Sequence, residues 1–342
     1  MPSTPSKLTL EPAAQLFKRL TTVKPQEAKM TVGLDVGSTS VKVVALGPRK
    51  GSGPRPIIGQ NLVPVAQDQD ASDAIKAAVS PLQLPVRTVN VAVSGQWVIM
   101  RIVEMPLMKS AEMKQALPFE AQRYLPFNIQ DVVIDGAVLG PADTNKQWVL
   151  IVACKKELID RRIDWVRRAG LDAALIDVDA LALANGFLAS ANGHSAEKTR
   201  ALMNVGALLT SLVIFKGDIP YLVRDVPWGA DKLFRFAAEQ IGIDAAEAST
   251  QLAQGAPGPE LLSATKLASE TLVTELQLSF DYFENRFGQP PEEILVSGGL
   301  SQSAGFMEAL KSHLTQAVSP WAPASGLSAQ FAVAYGLALR TD

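Results

Sequence analysis

Cysteine is almost missing from this chain of 342 residues: Cys154 stands alone. A single thiol excludes an internal disulfide and any cysteine zinc cluster, and it fits a reducing compartment. Histidine is nearly as scarce, since His194 and His313 are far apart and have no metal-ligand spacing. Charge of either sign is not in excess. With 32 basic and 34 acidic side chains the net charge is −2, so no bulk basic field recruits nucleic acid or anionic lipid. Uninterrupted apolar runs of 18 residues are also missing, which predicts no transmembrane helix. The N-terminus has neither the apolar core nor the cleavage site of a signal peptide. The expectation is a cytoplasmic protein that reaches a membrane, if at all, through a partner.

What the chain does have is apolar patterning. Apolar residues make up 47% of it, enough for two domains or one large bilobed body. Gly33-Leu34-Asp35-Val36-Gly37-Ser38-Thr39-Ser40-Val41-Lys42-Val43-Val44-Ala45-Leu46 reads as a β-hairpin. Its tip offers backbone N–H groups, three hydroxyls, one amine and one carboxylate. Convergent donors without bulk suit a polyphosphate, and Asp35 can hold the water shell of its magnesium. The motif is neither a P-loop nor a dinucleotide fingerprint, and a Gly-Ser-Thr-Ser turn is common in itself.

Residues 1–30 read as a leader, with Leu16, Phe17 and Leu20 on one side of a short helix. Beyond the hairpin come a strand at Ile57–Val65, a helix at Ala71–Val79 and a buried strand at Val89–Val93. The segment from Val98 predicts a β-α-β-β-α package. Its strands are 98–106, 132–139 and 148–154. One helix is capped by Ser110 and ends before Pro126, and the other spans 157–169 and closes on Gly170. A strand at 175–178 and an apolar helix from Asp179 follow, and Asn192-Gly193-His194-Ser195 reads as a surface break.

The opening pattern then recurs. In the run Ala201 to Gly217, Asn204 stands where Asp35 stood and Gly206 where Gly37 stood, an offset of 169 residues. A repeat of that length predicts a duplicated domain, with two hairpins clamping one nucleotide between lobes. A helical stretch, 230–286, reads as a covering layer or lid. The strand Glu293–Ser297 ends in Gly298-Gly299, where a flat ligand can approach the backbone. The closing helix from Gln330 to Arg340 carries Gly336, which costs up to about 1 kcal/mol and predicts close packing or a hinge.

Four pieces carry a family resemblance: Asp-x-Gly-Ser-x-Ser-x-Lys at 35–42, its diverged copy at 204–211, Val-Ser-Gly-Gly-Leu at 296–300 and Ala-Tyr-Gly-Leu-Ala-Leu-Arg at 334–340. Together they resemble the actin-like ATPase superfamily. The stretch Glu120-Ala121-Gln122-Arg123-Tyr124-Leu125-Pro126-Phe127 is similar to a motif of one branch, the PilM family of type IV pilus assembly, related to FtsA. The resemblance implies an α/β fold with two ribonuclease-H-like lobes and an inserted small α+β subdomain, holding ATP and Mg2+ in the cleft. In domain terms it implies a first lobe at 31–95 and 173–198 and an inserted subdomain at 96–172. It further implies a second lobe at 199–228 and 271–328, a lid at 229–270 and a closing segment at 329–342 that returns to the first lobe.

The resemblance also assigns residues. Gly37, Ser38, Thr39, Ser40 and Lys42 would surround the phosphates, with Gly206, Ala207 and Thr210 approaching from the other lobe. Gly298, Gly299 and Leu300 would line the adenosine, while Asp35 and Asn204 would face the metal through water. Asp179 lies where the family has a glutamate thought to orient the attacking water. The implied partner is the cytoplasmic tail of a PilN-like bitopic inner-membrane protein, with a pilus assembly motor ATPase and self-association as further possibilities. Asn204 removes a charge from the metal side, Leu208 and Leu209 replace hydroxyl residues, and Asp179 is one methylene short. Phosphoryl transfer depends on positioning, so the expectation is at most a slow ATPase. Alternatives are a type II secretion scaffold, an FtsA-like filament former, and a sugar or acetate kinase. The kinase would need Asp218 or Asp225 as base, and neither sits in a recognisable kinase context.

Overall fold

A computed structural model describes residues 29–49, 53–65, 70–190, 198–255 and 257–341. The leader helix and the break at 192–195, with His194, lie outside the described residues. The first sheet holds β1 (Thr31–Val36), β2 (Ser40–Leu46), β3 (Ile57–Pro64), β4 (Thr88–Val93) and β8 (Asp172–Val178), in the order β3-β2-β1-β4-β8. The second holds β9 (Thr199–Val205), β10 (Thr210–Lys216), β11 (Ile219–Val226), β12 (Glu293–Gly298) and β13 (Ala317–Pro320), in the order β11-β10-β9-β12-β13. Each sheet is an antiparallel three-strand meander whose first strand pairs in parallel with a fourth, which pairs in parallel with a fifth. The topologies are identical strand for strand, as a duplicated lobe requires.

Between β4 and β8 the chain makes a third, antiparallel sheet of β5 (Val98–Pro106), β7 (Lys146–Lys155) and β6 (Val132–Pro141), in the order β5-β7-β6. The helices of the first half are α1 (Ser72–Val79), α2 (Ser110–Gln122), α3 (Lys156–Arg168) and α4 (Asp179–Ala189). Those of the second are α5 (Ala230–Ile241), α6 (Ala245–Ala253), α7 (Pro259–Phe287), α8 (Ala304–His313) and α9 (Ala332–Leu339).

Two sequence expectations shift here. Ser110 is the first residue of α2 and Lys109 precedes it as the cap, with the Glu112 carboxylate accepting the Lys109 N–H at 3.0 Å. The acid three residues into the helix takes over the capping, so a hydroxyl at the cap is dispensable. And α3, grouped with the insertion by its place in sequence, packs Val166 and Trp165 into the first-lobe core beside Val89 and Val91. At its other end Leu158 packs with Val98, Met100 and Cys154 of the insertion, so the helix joins the two.

The closing helix packs on the first strand. Every residue of α9 is buried. A Cβ on Gly336 would lie 1.7 Å from Ala182 O of α4, and one on Gly33 would lie 2.0 Å from Ala334 O. Close packing between β1 and α4 accounts for the helical glycine. Asn90 Nδ2 donates to Leu337 O and Arg340 O at 2.9 Å each, and Arg340 pairs with the buried Asp177 at 3.0 Å. A buried Leu such as Leu337, at 0% exposure, contributes about 1.5–3 kcal/mol.

Candidate functional site

The two lobes face each other across a cleft of about 660 Å³. Thr39, Ser40 and Lys42 line it from the first hairpin, Asn204, Gly206 and Ala207 from the second, and Gly298, Gly299 and Leu300 from the end of β12. Three glycine-bearing turns therefore converge on one space. In the first turn Gly37 N–H donates to Ser40 O at 3.0 Å, Ser38 is half-buried, and Lys42 Nζ donates to Asp35 at 3.0 Å. Gly298 has φ +88°, and a Cβ there would lie 2.3 Å from Val205 O. That position demands glycine on both counts.

The second turn is built differently. Gly206 O and Ala207 O accept from Ala230 N–H and Asp231 N–H at 2.9 Å each, so the N-terminus of α5 holds the turn by its carbonyls. Thr210 is fully buried and donates to Trp228 O at 2.8 Å, which makes its hydroxyl part of the frame rather than the cleft lining. Ser297 donates to Asn204 Oδ1 at 3.2 Å and orients that amide. Sequence reading missed Phe234, Arg235, Ser249 and Gln302, which also line the cleft. Phe234, Arg235 and Ser249 sit on helices read as a lid, and which face a lid helix presents depends on tertiary packing, while Gln302 ends the short turn that follows β12.

Beneath the turns lies a carboxylate cluster. Asp179 opens α4, and burial, followed by the charge of Asp35, pushes its carboxyl up to about 7. A hydrogen bond from Ser94 and the Arg162 guanidinium pull the other way. Arg162 is buried on α3 and donates to Val36 O at 2.9 Å, so a cation from α3 supports the start of the first turn. Asp225, on β11, accepts from Gly95 N–H at 2.7 Å and from the Ser211 hydroxyl at 2.9 Å. Burial raises its carboxyl, while those two donors lower it. The bond to Gly95 ties the second lobe directly to the first. Both Asp225 oxygens are thus engaged, which disfavours the general-base role that a kinase would ask of it.

A second cavity, about 370 Å³, lies between the inserted sheet and the first lobe, lined by Asp135, Gly136, Leu150, Cys154, Leu181 and Asn185. Asn185 is 3% exposed, and its Oδ1 and Nδ2 both lack a hydrogen-bond partner. Burial pushes the neighbouring Cys154 thiol up to about 11.

Comparison with known proteins decides the family. The sequence profile described as type IV pilus assembly protein PilM matches residues 33–342. This chain belongs to the PilM family. Its fold is similar to that of the PilM-PilN type IV pilus biogenesis complex, at TM-score 0.79 and 25% identity over 90% of this chain and 97% of that one. Two more distant structures show the same actin-like ATPase fold. Ethanolamine utilization protein EutJ from Carboxydothermus hydrogenoformans matches at TM-score 0.56 and 14% identity, covering 96% and 97% of the two chains. A ROK family glucokinase from Streptomyces griseus, in complex with glucose and AMPPNP, matches at TM-score 0.53 and 15% identity, covering 91% and 98%.

Within this PilM-family chain the stretch Glu120–Phe127 has a structural task. Tyr124 donates to Glu120 Oε1 at 3.0 Å, and the Phe127 ring lies 5.8 Å from Trp97. Lys155 Nζ sits over both rings, at 3.8 Å from Trp97 and 4.9 Å from Phe127. The segment after α2 thereby fastens the insertion to the point where β5 leaves the first lobe. No helix among the described residues is long and apolar enough to cross a membrane.

Proposed function

We propose that this pilus-assembly scaffold clasps the cytoplasmic tail of a PilN-like bitopic inner-membrane protein in the groove beside Asn185, and that it binds ATP in the interlobe cleft. The observation that carries the reading is the Asn185 amide. A buried amide with neither end satisfied costs about 1–3 kcal/mol per unpaired group. An extended peptide backbone offers one N–H and one C=O at the spacing that such an amide satisfies together. Attachment at the inner membrane then follows from the partner, with no spanning segment needed in this chain.

The cleft residues fit a nucleotide. Gly206, Gly298 and Gly299 border the cleft with backbone and no side chain, and Lys42 supplies a cation beside the hydroxyls of Thr39 and Ser40. Among the described residues no group of three or more acidic, histidine or cysteine side chains could cage a metal. The donor set therefore suits Mg2+ carried on the phosphates, with Asp35 and Asn204 facing its water shell. When bound, the ion would neutralise phosphate charge. Asn204 and the high Asp179 carboxyl support tight holding with slow hydrolysis, so single-turnover phosphate release should stay far below that of an efficient ATPase.

Calorimetry with a synthetic partner-tail peptide tests the clasp. We expect Asn185→Leu to weaken binding about tenfold or more, consistent with two lost hydrogen bonds. Equal affinity in wild type and variant would remove the groove from the reading.

A further inference from the structure

A third cavity, about 890 Å³, runs between the inserted sheet and the second lobe. Its walls are the consecutive residues 94–102 and 221–225. Alternate residues of a strand face one side of its sheet, so lining by every residue means that the groove follows strand edges. The topology agrees. β5 pairs with β7 alone and β11 with β10 alone, so each is the outer strand of its sheet. Two sheet edges thus border one groove, and such edges are templates for another extended chain.

The side chains add chemistry to the edges. Trp97, Leu208, Leu278 and Tyr282 line the groove and are exposed at 38%, 45%, 58% and 51%. That is a large apolar display for one stretch of surface. Arg101 and Arg161 line it too, both exposed, and neither forms an ion pair among the described residues. The third arginine, Arg224, is neutralised by Glu275 at 2.8 Å. The acidic lining residue, Asp225, is engaged by Gly95 and Ser211. The accessible charge of the groove is therefore positive.

We infer that this groove receives an extended segment of a partner protein, alternating acidic and apolar residues, as an added β-strand. Main-chain hydrogen bonds to an edge would supply affinity, and carboxylates opposite Arg101 and Arg161 would set register and specificity. The site is separate from the groove beside Asn185 and does not depend on it. Residues 1–28 of this chain match it poorly, since they carry four basic against two acidic side chains.

Selection of a random decapeptide phage library on the full chain, followed by fluorescence anisotropy of the enriched peptides, tests the inference. The enriched sequences should alternate Asp or Glu with Val, Ile or Leu. Arg101→Glu combined with Arg161→Glu should raise Kd at least about tenfold, the loss of one or two charge-assisted contacts. Both positions are exposed, and an unchanged melting temperature will show the double variant folded. A proline at the peptide centre should abolish binding, because it removes a ladder N–H. Asn185→Leu should change nothing. Enriched peptides without acidic residues, or a Kd indifferent to the double charge reversal, overturn the proposal. Tighter binding after deletion of residues 2–28 makes the leader the occupant, and dimerisation lost in the double variant makes it a second copy. Either result also overturns it.

Discussion

The hairpins at 35–42 and 204–211 occupy equivalent places in two sheets of identical strand order and close with the same internal bond, Gly37 N–H to Ser40 O at 3.0 Å and Gly206 N–H to Leu209 O at 2.9 Å, yet what surrounds them differs. The first adds the Lys42 to Asp35 pair and leaves hydroxyls and an amine on the cleft. The second is also gripped from outside by the N-terminus of α5, and Thr210, which opens β10, is turned into the frame. Duplication therefore preserved the backbone and divided the labour. One copy lines the cleft with hydroxyls and an amine, while the other joins the cleft to the helical layer above it.

The largest expected effect comes from breaking the outside grip. A Cβ on Gly229 would lie 2.3 Å from Ala207 O, against 3.1 Å between a Cβ on Gly37 and Ser40 O. Gly229→Ala should cost about 3 kcal/mol in urea unfolding, whereas Gly37→Ala should cost about 1 or less. Next is the chemistry of the first copy. Lys42→Met should weaken binding of a fluorescent ATP analogue by about ten- to a hundredfold, the worth of a charge-assisted contact. Asn204→Asp, which restores the charge that the second copy lost, should instead sharpen the dependence on Mg2+.

The carboxylate between the copies gives a pH signature. Burial and the charge of Asp35 hold the folded-state pKa of Asp179 at about 7, above the ordinary carboxylate value of 3.8, so the folded protein binds the extra proton. Stability from this group is then highest in acid, falls as pH rises from about 4 to about 7, and is level above. Asp179→Asn should melt a few degrees above wild type at pH 8, on the order of 2 kcal/mol, and the gap should close by pH 4. A constant gap across that range would mean that burial alone, without titration, sets the difference. The smallest effect is Thr210→Val, which leaves Trp228 O without its donor. It should cost about 1 kcal/mol by denaturant melt and leave nucleotide affinity unchanged.

Much of the fold was legible because strands and turns write themselves locally. The alternation around Asp35 and Asn204 and the paired glycines at 298–299 mark the three turns that now border one cleft. Gly336 likewise announced close packing, for no other residue fits 1.7 Å from a carbonyl. Position in sequence was a poorer guide. It grouped α3 with the insertion, although Val166 joins the first-lobe core and Arg162 reaches Val36. Nor did it mark Asn185, an ordinary asparagine inside an apolar helix until its unsatisfied amide is seen facing a groove.

The sequence by itself determined the periodicities, the turns, the duplication and the family, because each depends on residues a few positions apart or on a repeated pattern. Only tertiary structure decided which polar groups stay available. Thr39, in the first turn, lines the cleft, whereas Thr210, which opens β10 just past the second turn, is bonded to Trp228. Asp225 is a carboxylate like any other until Gly95, from the opposite lobe, donates to it. Availability depends on what a distant segment brings within 3 Å, and local sequence does not encode that.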